Sequence, residues 1–216
     1  MYGEKTSDQW RGVEDGLFSA RFNSLVGKVG LKVREGWAAW FDETNGILYA
    51  ILCEPDSSLV YPHDGHHVEV WSTGDVEIPY TGPYMPMANL EIEVLGPLTT
   101  LKPGESTSLE TQWGACRCSG VVRIVPCGVI VEEPSIDPEL RITGTFGVFY
   151  TAALVEVILG GDKRELAAET IADVSPRQEV RLNKNLVLPA GADTVQYQLR
   201  DSGGNVLGIL AELSVP

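Results

Sequence analysis

The run YPHDGHHVEVWSTG, Tyr61 to Gly74, contains all three histidines of the chain, and Asp64 and Glu69 stand among them. Imidazole and carboxylate are the side chains best suited to moving protons near neutral pH, and both ligate metals. Which chemistry is available depends on the surface that carries them. VEVWS alternates apolar and polar residues and reads as a strand, in which residues two apart face the same way. His67, Glu69 and Trp71 are therefore expected on one face, with Val68 and Val70 turned into a core on the other. Such a wall, with His66 at the end of the preceding loop, suits a sugar. Carboxylate and imidazole hydrogen-bond hydroxyls, while an indole packs on the apolar face of a pyranose. Glu69, Trp71 and His66 are the expected binding groups.

A second constellation lies in NLEIEVLGP. Leu90, Ile92 and Val94 fall on one face of a strand, Glu91 and Glu93 on the other. Two like charges so close raise one proton affinity if partly buried, which suits a general acid or base. The same spacing also describes two carboxylates that simply face water. Glu91 and Glu93, with His67, form the expected catalytic set.

His63, Asp64, His66, His67 and Glu69 are all competent metal ligands, and His67 and Glu69 could converge on one ion. No H-E-x-x-H or comparable spacing accompanies them, so neither a metal nor another cofactor is expected. G-x-S-x-G, the Walker loop and G-x-G-x-x-G after a strand do not occur. Cysteines are sparse: Cys53, Cys116, Cys118 and Cys127. Cys116 and Cys118 form C-x-C, short of a four-ligand zinc pattern. They read as structural thiols; the alternative is a disulfide from Cys127 to Cys116 or Cys118 in an oxidising compartment.

The elements that position these groups are strands. Lys28–Val33 alternates; Trp37–Phe41 and Ile47–Cys53 flank DETNG, where Asn45-Gly46 signals a hairpin. The strand His67–Ser72 follows, then a Pro-rich connection, EIPYTGPYMPMANL. LKPGES reads as a turn, and TSLETQW as a strand ending at Trp113. Beyond GACRCSG come VVRIVPCGVIVEE, ELRITGTFGVFYTAALVEVIL and the long run from Val180, with a hairpin at Gly203-Gly204-Asn205. Strand is preferred over helix for KRELAAETIADV because its neighbours are strands. Strands recur at the spacing of a sandwich. The predicted fold is all-β: an antiparallel β-sandwich over 1–119 and an immunoglobulin- or fibronectin-III-like β-sandwich over 120–216.

The 216 residues carry a net charge of −14, which argues against nucleic acid as the main partner, since phosphates repel it. Hydrophobic residues at 44% and charged residues at 21% suit a globular protein. No apolar run is long enough to span a membrane, and no signal peptide is visible. The chain as it stands reads as cytoplasmic, or as periplasmic or extracellular if an upstream signal precedes it.

GWAAWFDETNGILYAI, YPHDGHHVEVW and NLEIEVLGPLTTLKPGESTSLETQW, in that order, resemble the later half of galactose-mutarotase-like β-supersandwich proteins. The nearest similarity is to a bacterial group of uncharacterised function with that fold. L-x-PGE before a strand ending in an aromatic is the most telling piece, and the resemblance covers roughly 10–115. It implies a concave sugar-binding face, with a late glutamate as base on the anomeric hydroxyl and a histidine as acid. Glu91 or Glu93 matches the glutamate; His67 is a loose positional candidate for the acid. The stretch is shorter than a full supersandwich, so an N-terminal half is expected to be missing or the sandwich reduced. An unpaired sheet edge would then invite homo-oligomerisation.

Three functions compete. The first is carbohydrate binding or modification, with proton transfer at an anomeric centre in the manner of an aldose epimerase. The second is a non-catalytic cell-envelope or adhesion protein. The third is a metal-dependent enzyme using the His63–His67 loop.

Overall fold

The computed structural model describes residues 2–3, 8–73 and 89–216. Most of the Pro-rich connection, 77–88, lies outside them. Strands make up 55% of the chain and helix 2%, which makes the protein all-β. Among the described residues no helix is long and apolar enough to cross a membrane. Two compact units form, Met1–Ala38 with Ile51–Thr111, and Ala39–Ala50 with Gln112–Pro216.

The first unit contains β1 (Tyr2–Gly3), the hairpin β2 (Trp10–Glu14) and β3 (Leu17–Ala20), and β4 (Gly27–Leu31). The hairpin β5 (Trp37–Asp42) and β6 (Ile47–Leu52) follows, its middle belonging with the second unit. Its turn closes as expected at Asn45-Gly46. Asp42 Oδ1 accepts from the Thr44 and Asn45 amides, and Gly46 takes φ +60°, a left-handed conformation that suits glycine.

Next come β7 (Val68–Thr73) and β8 (Asn89–Val94). An antiparallel sheet runs β1-β4-β7-β8. Its register sets the faces. Val29 pairs with Val70 and Leu31 with Val68 across β4 and β7, and Val70 pairs with Ile92 and Val68 with Val94 across β7 and β8. These residues line one side, where Val29, Val68 and Val70 are buried. Gly30, Glu69 and Glu93 form a row on the opposite side, and Lys28, Trp71 and Glu91 form the next.

The strand expected to end at Trp113 is placed differently: β9 spans Gln112–Arg117. Residues 106–110 are all exposed, so nothing pays for ordering them as a strand. From 113 onward burial alternates, with Gly114, Cys116 and Cys118 turned inward. A Cβ on Gly114 would lie 2.4 Å from the Phe149 ring, which shows how closely β9 packs within the second unit.

The remaining strands are β10 (Arg123–Val125), β11 (Gly128–Ile136), β12 (Arg141–Val148), β13 (Ala152–Gly160), β14 (Glu165–Val174), β15 (Val180–Asn185), β16 (Ala192–Arg200) and β17 (Val206–Ser214). KRELAAETIADV supplies β14, as preferred from its neighbours. Two antiparallel sheets, β10-β11-β12-β15 and β14-β13-β16-β17, form a sandwich. Ile130, Ile142, Phe146 and Leu182 from one meet Leu154, Val195, Leu199 and Leu210 from the other in one core. Alternation also places Glu156 on this inner side. It is buried, accepts from the Tyr197 hydroxyl at 2.7 Å and takes the Lys184 ammonium, carried by the opposite sheet, at 3.0 Å. Burial, then the Glu156 hydrogen bond and charge, push the Tyr197 phenol far above its usual range. All four cysteines are free thiols, Cys116, Cys118 and Cys127 buried.

Candidate functional site

The polar side of the β4-β7-β8 sheet, within the first unit, gathers most of the sequence-predicted residues. Glu69 sits at its centre. Although charged, it is 1% exposed, so its carboxylate must be satisfied by partners rather than water. Oε2 accepts from the Lys28 ammonium. Oε1 lies 2.6 Å from His63 Nδ1 and 3.3 Å from His66 Nδ1. Burial pushes the Glu69 carboxyl up, but the hydrogen bonds from Lys28, His63 and His66 and the charge of Lys28 together hold it below the usual range. An ionised carboxylate only accepts, so each Nδ1 carries a proton in this arrangement and each Nε2 is left as the outward nitrogen.

The backbone is shaped to bring both rings in. Gly30 pairs with Glu69 across the sheet, and a Cβ on it would lie 1.9 Å from His66 Nδ1. The imidazole therefore occupies the space that any other residue would fill. His63 arrives from the single turn Pro62–Gly65, closed by the His66 amide donating to the Pro62 carbonyl. His63 at φ 51° and Asp64 at φ 65° are both left-handed. Such conformations cost of order 1–3 kcal/mol each. The single Glu69 hydrogen bond of a His63 side chain that is 58% exposed returns about 1 kcal/mol. The strain thus exceeds what that one contact offsets.

The second row of the wall is tied to the first. Trp71 Nε1 donates to Glu93 Oε2 at 2.9 Å, and the Lys28 ammonium stands 4.2 Å from the centre of the indole. Lys28 thereby bridges Glu69 and Trp71, a cation over an aromatic face on one side and an ion pair on the other. Glu91 is exposed and accepts from Asn89 Nδ2. Glu91 and Glu93 share a face as expected but have different surroundings: Glu93 is half-buried beside the indole, Glu91 faces solvent.

His67 is placed apart from this group. Its Nδ1 lies 3.1 Å from the Val33 carbonyl, and its ring meets Tyr61 edge-on with centroids 4.4 Å apart. The ligand-competent group among the described residues is His63, His66 and Glu69, whose donor atoms all lie within 4.8 Å of one another. The convergence expected of His67 with Glu69 falls instead to His63 and His66. Asp64 lies in the turn but outside that group.

Sequence reasoning passed over Lys28 and Gly30. Both stand in KVGLKV at the spacing that puts them on one strand face, but only the register with β7 brings them to Trp71 and Glu69. Comparison of the chain with family models, curated proteins and solved structures finds no match.

Proposed function

We propose that the polar wall of the first unit recognises carbohydrate and can carry proton transfer at a sugar anomeric centre. One observation supports this most: carboxylates, imidazoles and an indole share one side of a sheet whose other side is apolar. Glu93 or Glu91 would take the anomeric hydroxyl proton, the role that the mutarotase-like resemblance assigns to a late glutamate. The contacts of His67 favour passing the acid role to His63. Its ring is oriented through Nδ1 by a buried carboxylate and its side chain is 58% exposed; as the imidazolium it would give a proton from Nε2, the arrangement of a carboxylate-backed general acid or base. Such chemistry needs no cofactor.

The test is binding of a panel of free mono- and oligosaccharides, with polarimetry for anomer interconversion. Trp71→Ala is expected to weaken binding at least tenfold while the chain stays folded. No binding to any sugar would sink the proposal, and unchanged affinity would remove Trp71 from it.

A specific observation favours a second reading, an interaction module. Trp40, Tyr49 and Trp113 are all exposed on the sheet β5-β6-β9, with the Tyr49 and Trp113 rings 5.2 Å apart. Exposed aromatics grouped on one sheet are a common feature of docking surfaces. Glycan binding that survives Trp71→Ala but is lost in Trp113→Ala would support this reading over the first.

A further inference from the structure

We propose that His63, His66 and Glu69 form a binding site for one divalent transition-metal ion of the zinc class. The proposal does not rest on the sugar reading, although a bound ion would replace the His63–Glu69 hydrogen bond that orients the general acid in that reading. The donor set is two imidazole nitrogens and one carboxylate oxygen, which matches three-ligand zinc sites that keep a further position for water or substrate. All three donor atoms lie within 4.8 Å of one another. With metal–ligand bonds of about 2.0–2.2 Å, tetrahedral donors sit about 3.3 Å apart. His66 Nδ1 and Glu69 Oε1 are already at 3.3 Å. His63 Nδ1, at 2.6 Å, has to draw back by about 0.7 Å to reach that spacing, and its exposed ring on a short turn has room to do so.

Three features fit an ion better than a pair of hydrogen bonds. Both rings aim the same nitrogen, Nδ1, at a single carboxylate oxygen. An ion between them takes the place of the two shared protons, the neutral rings shifting to the Nε2–H tautomer, with no net loss of protons. Lys28 occupies the other oxygen and so fixes Glu69 as a one-oxygen ligand, the kind of outer support that orients metal-binding carboxylates. Finally, Glu93 lies beside Glu69 across the sheet, Glu91 is one row on, and Asp64 is in the turn. Against these stand Lys28 and Lys32, whose ammonium reaches Gly65 at the end of the turn; with Glu69 itself counted, four carboxylates face two ammonium groups, so the local field favours a cation.

The experiment is titration of the tag-free chain with Zn²⁺ by calorimetry, and with Co²⁺ by visible absorption, without saccharide. One ion per chain with micromolar or tighter affinity is expected, and a Co²⁺ band typical of four-coordinate nitrogen and oxygen donors. His63→Ala and His66→Ala should each weaken binding at least tenfold, and His67→Ala should leave it unchanged. His63 is exposed, so His63→Ala is expected to keep the fold, checked by circular dichroism, and it carries the test if His66→Ala unfolds. Absent or millimolar binding, or equal loss in all three variants, overturns the proposal. Sugar binding unaffected by removal of the metal would leave the carbohydrate reading standing on its own.

Discussion

Oε1 of Glu69 and Nδ1 of His63 stand 2.6 Å apart, one group 1% exposed and the other 58%. The pair joins the interior of the first unit to its surface.

Stability at acid pH should report on Glu69 directly. Its folded-state value lies below that of the unfolded chain, about 4.3. Its contribution is therefore complete above that pH and is lost as pH falls through the folded value. Glu69→Gln is expected to cost about 1–3 kcal/mol at pH 7. The difference from wild type should shrink as pH drops below about 4. Hydrogen exchange at the β7 amides, Val68–Thr73, measured from pH 7 downward, reads the effect locally. Parallel pH profiles for the two proteins would count against an ionised, satisfied Glu69.

Much of this wall is legible in the sequence, for a definite reason. VEVWS and NLEIEV alternate, and a period of two fixes which side chains travel together once a strand forms. Alternation groups His67, Glu69 and Trp71 on one strand face and Glu91 with Glu93 on another. The register of β7 with β8 brings Glu69, Trp71, Glu91 and Glu93 to one side of the sheet, while His67 stands apart at the Val33 carbonyl. Alternation says nothing about depth. Glu69 is buried because Lys28, His63 and His66 reach it, and the sequence does not print those contacts. The same limit hides Glu156, whose partners Lys184 and Tyr197 lie 28 and 41 residues away. TSLETQW has strand-like composition in its first half but acquires no burial there. The joining of Ala39–Ala50 with Gln112–Pro216 is equally non-local.

Gly30→Ala is expected to expel the His66 ring while leaving the sheet paired. The added Cβ would stand 1.9 Å from Nδ1, and the imidazole is the movable party. The cost should be about 1–3 kcal/mol, the range for overpacking a close contact. In a proton–nitrogen spectrum the His66 ring signals should shift while those of His67, held at the Val33 carbonyl, stay put. An unmoved His66 would mean that Gly30 is not what admits the ring.

The second unit makes a separate prediction at alkaline pH. The Tyr197 phenol is held protonated by burial and by its bond to Glu156. In the unfolded chain it ionises near pH 10, so above that pH the unfolded state gains stability that the folded state cannot match. Native stability of the sandwich should therefore fall as pH rises beyond about 10. Tyr197→Phe should remove that part of the slope while costing about 1–3 kcal/mol at pH 7, because Glu156 loses a donor. Replacing both groups, Tyr197→Phe with Glu156→Leu, should recover part of that loss, since no buried acceptor is then left wanting. Lys184, itself partly exposed, can turn to solvent. Urea unfolding of the three proteins at pH 7 and pH 11 decides it. An alkaline slope that survives Tyr197→Phe would assign the effect to another group.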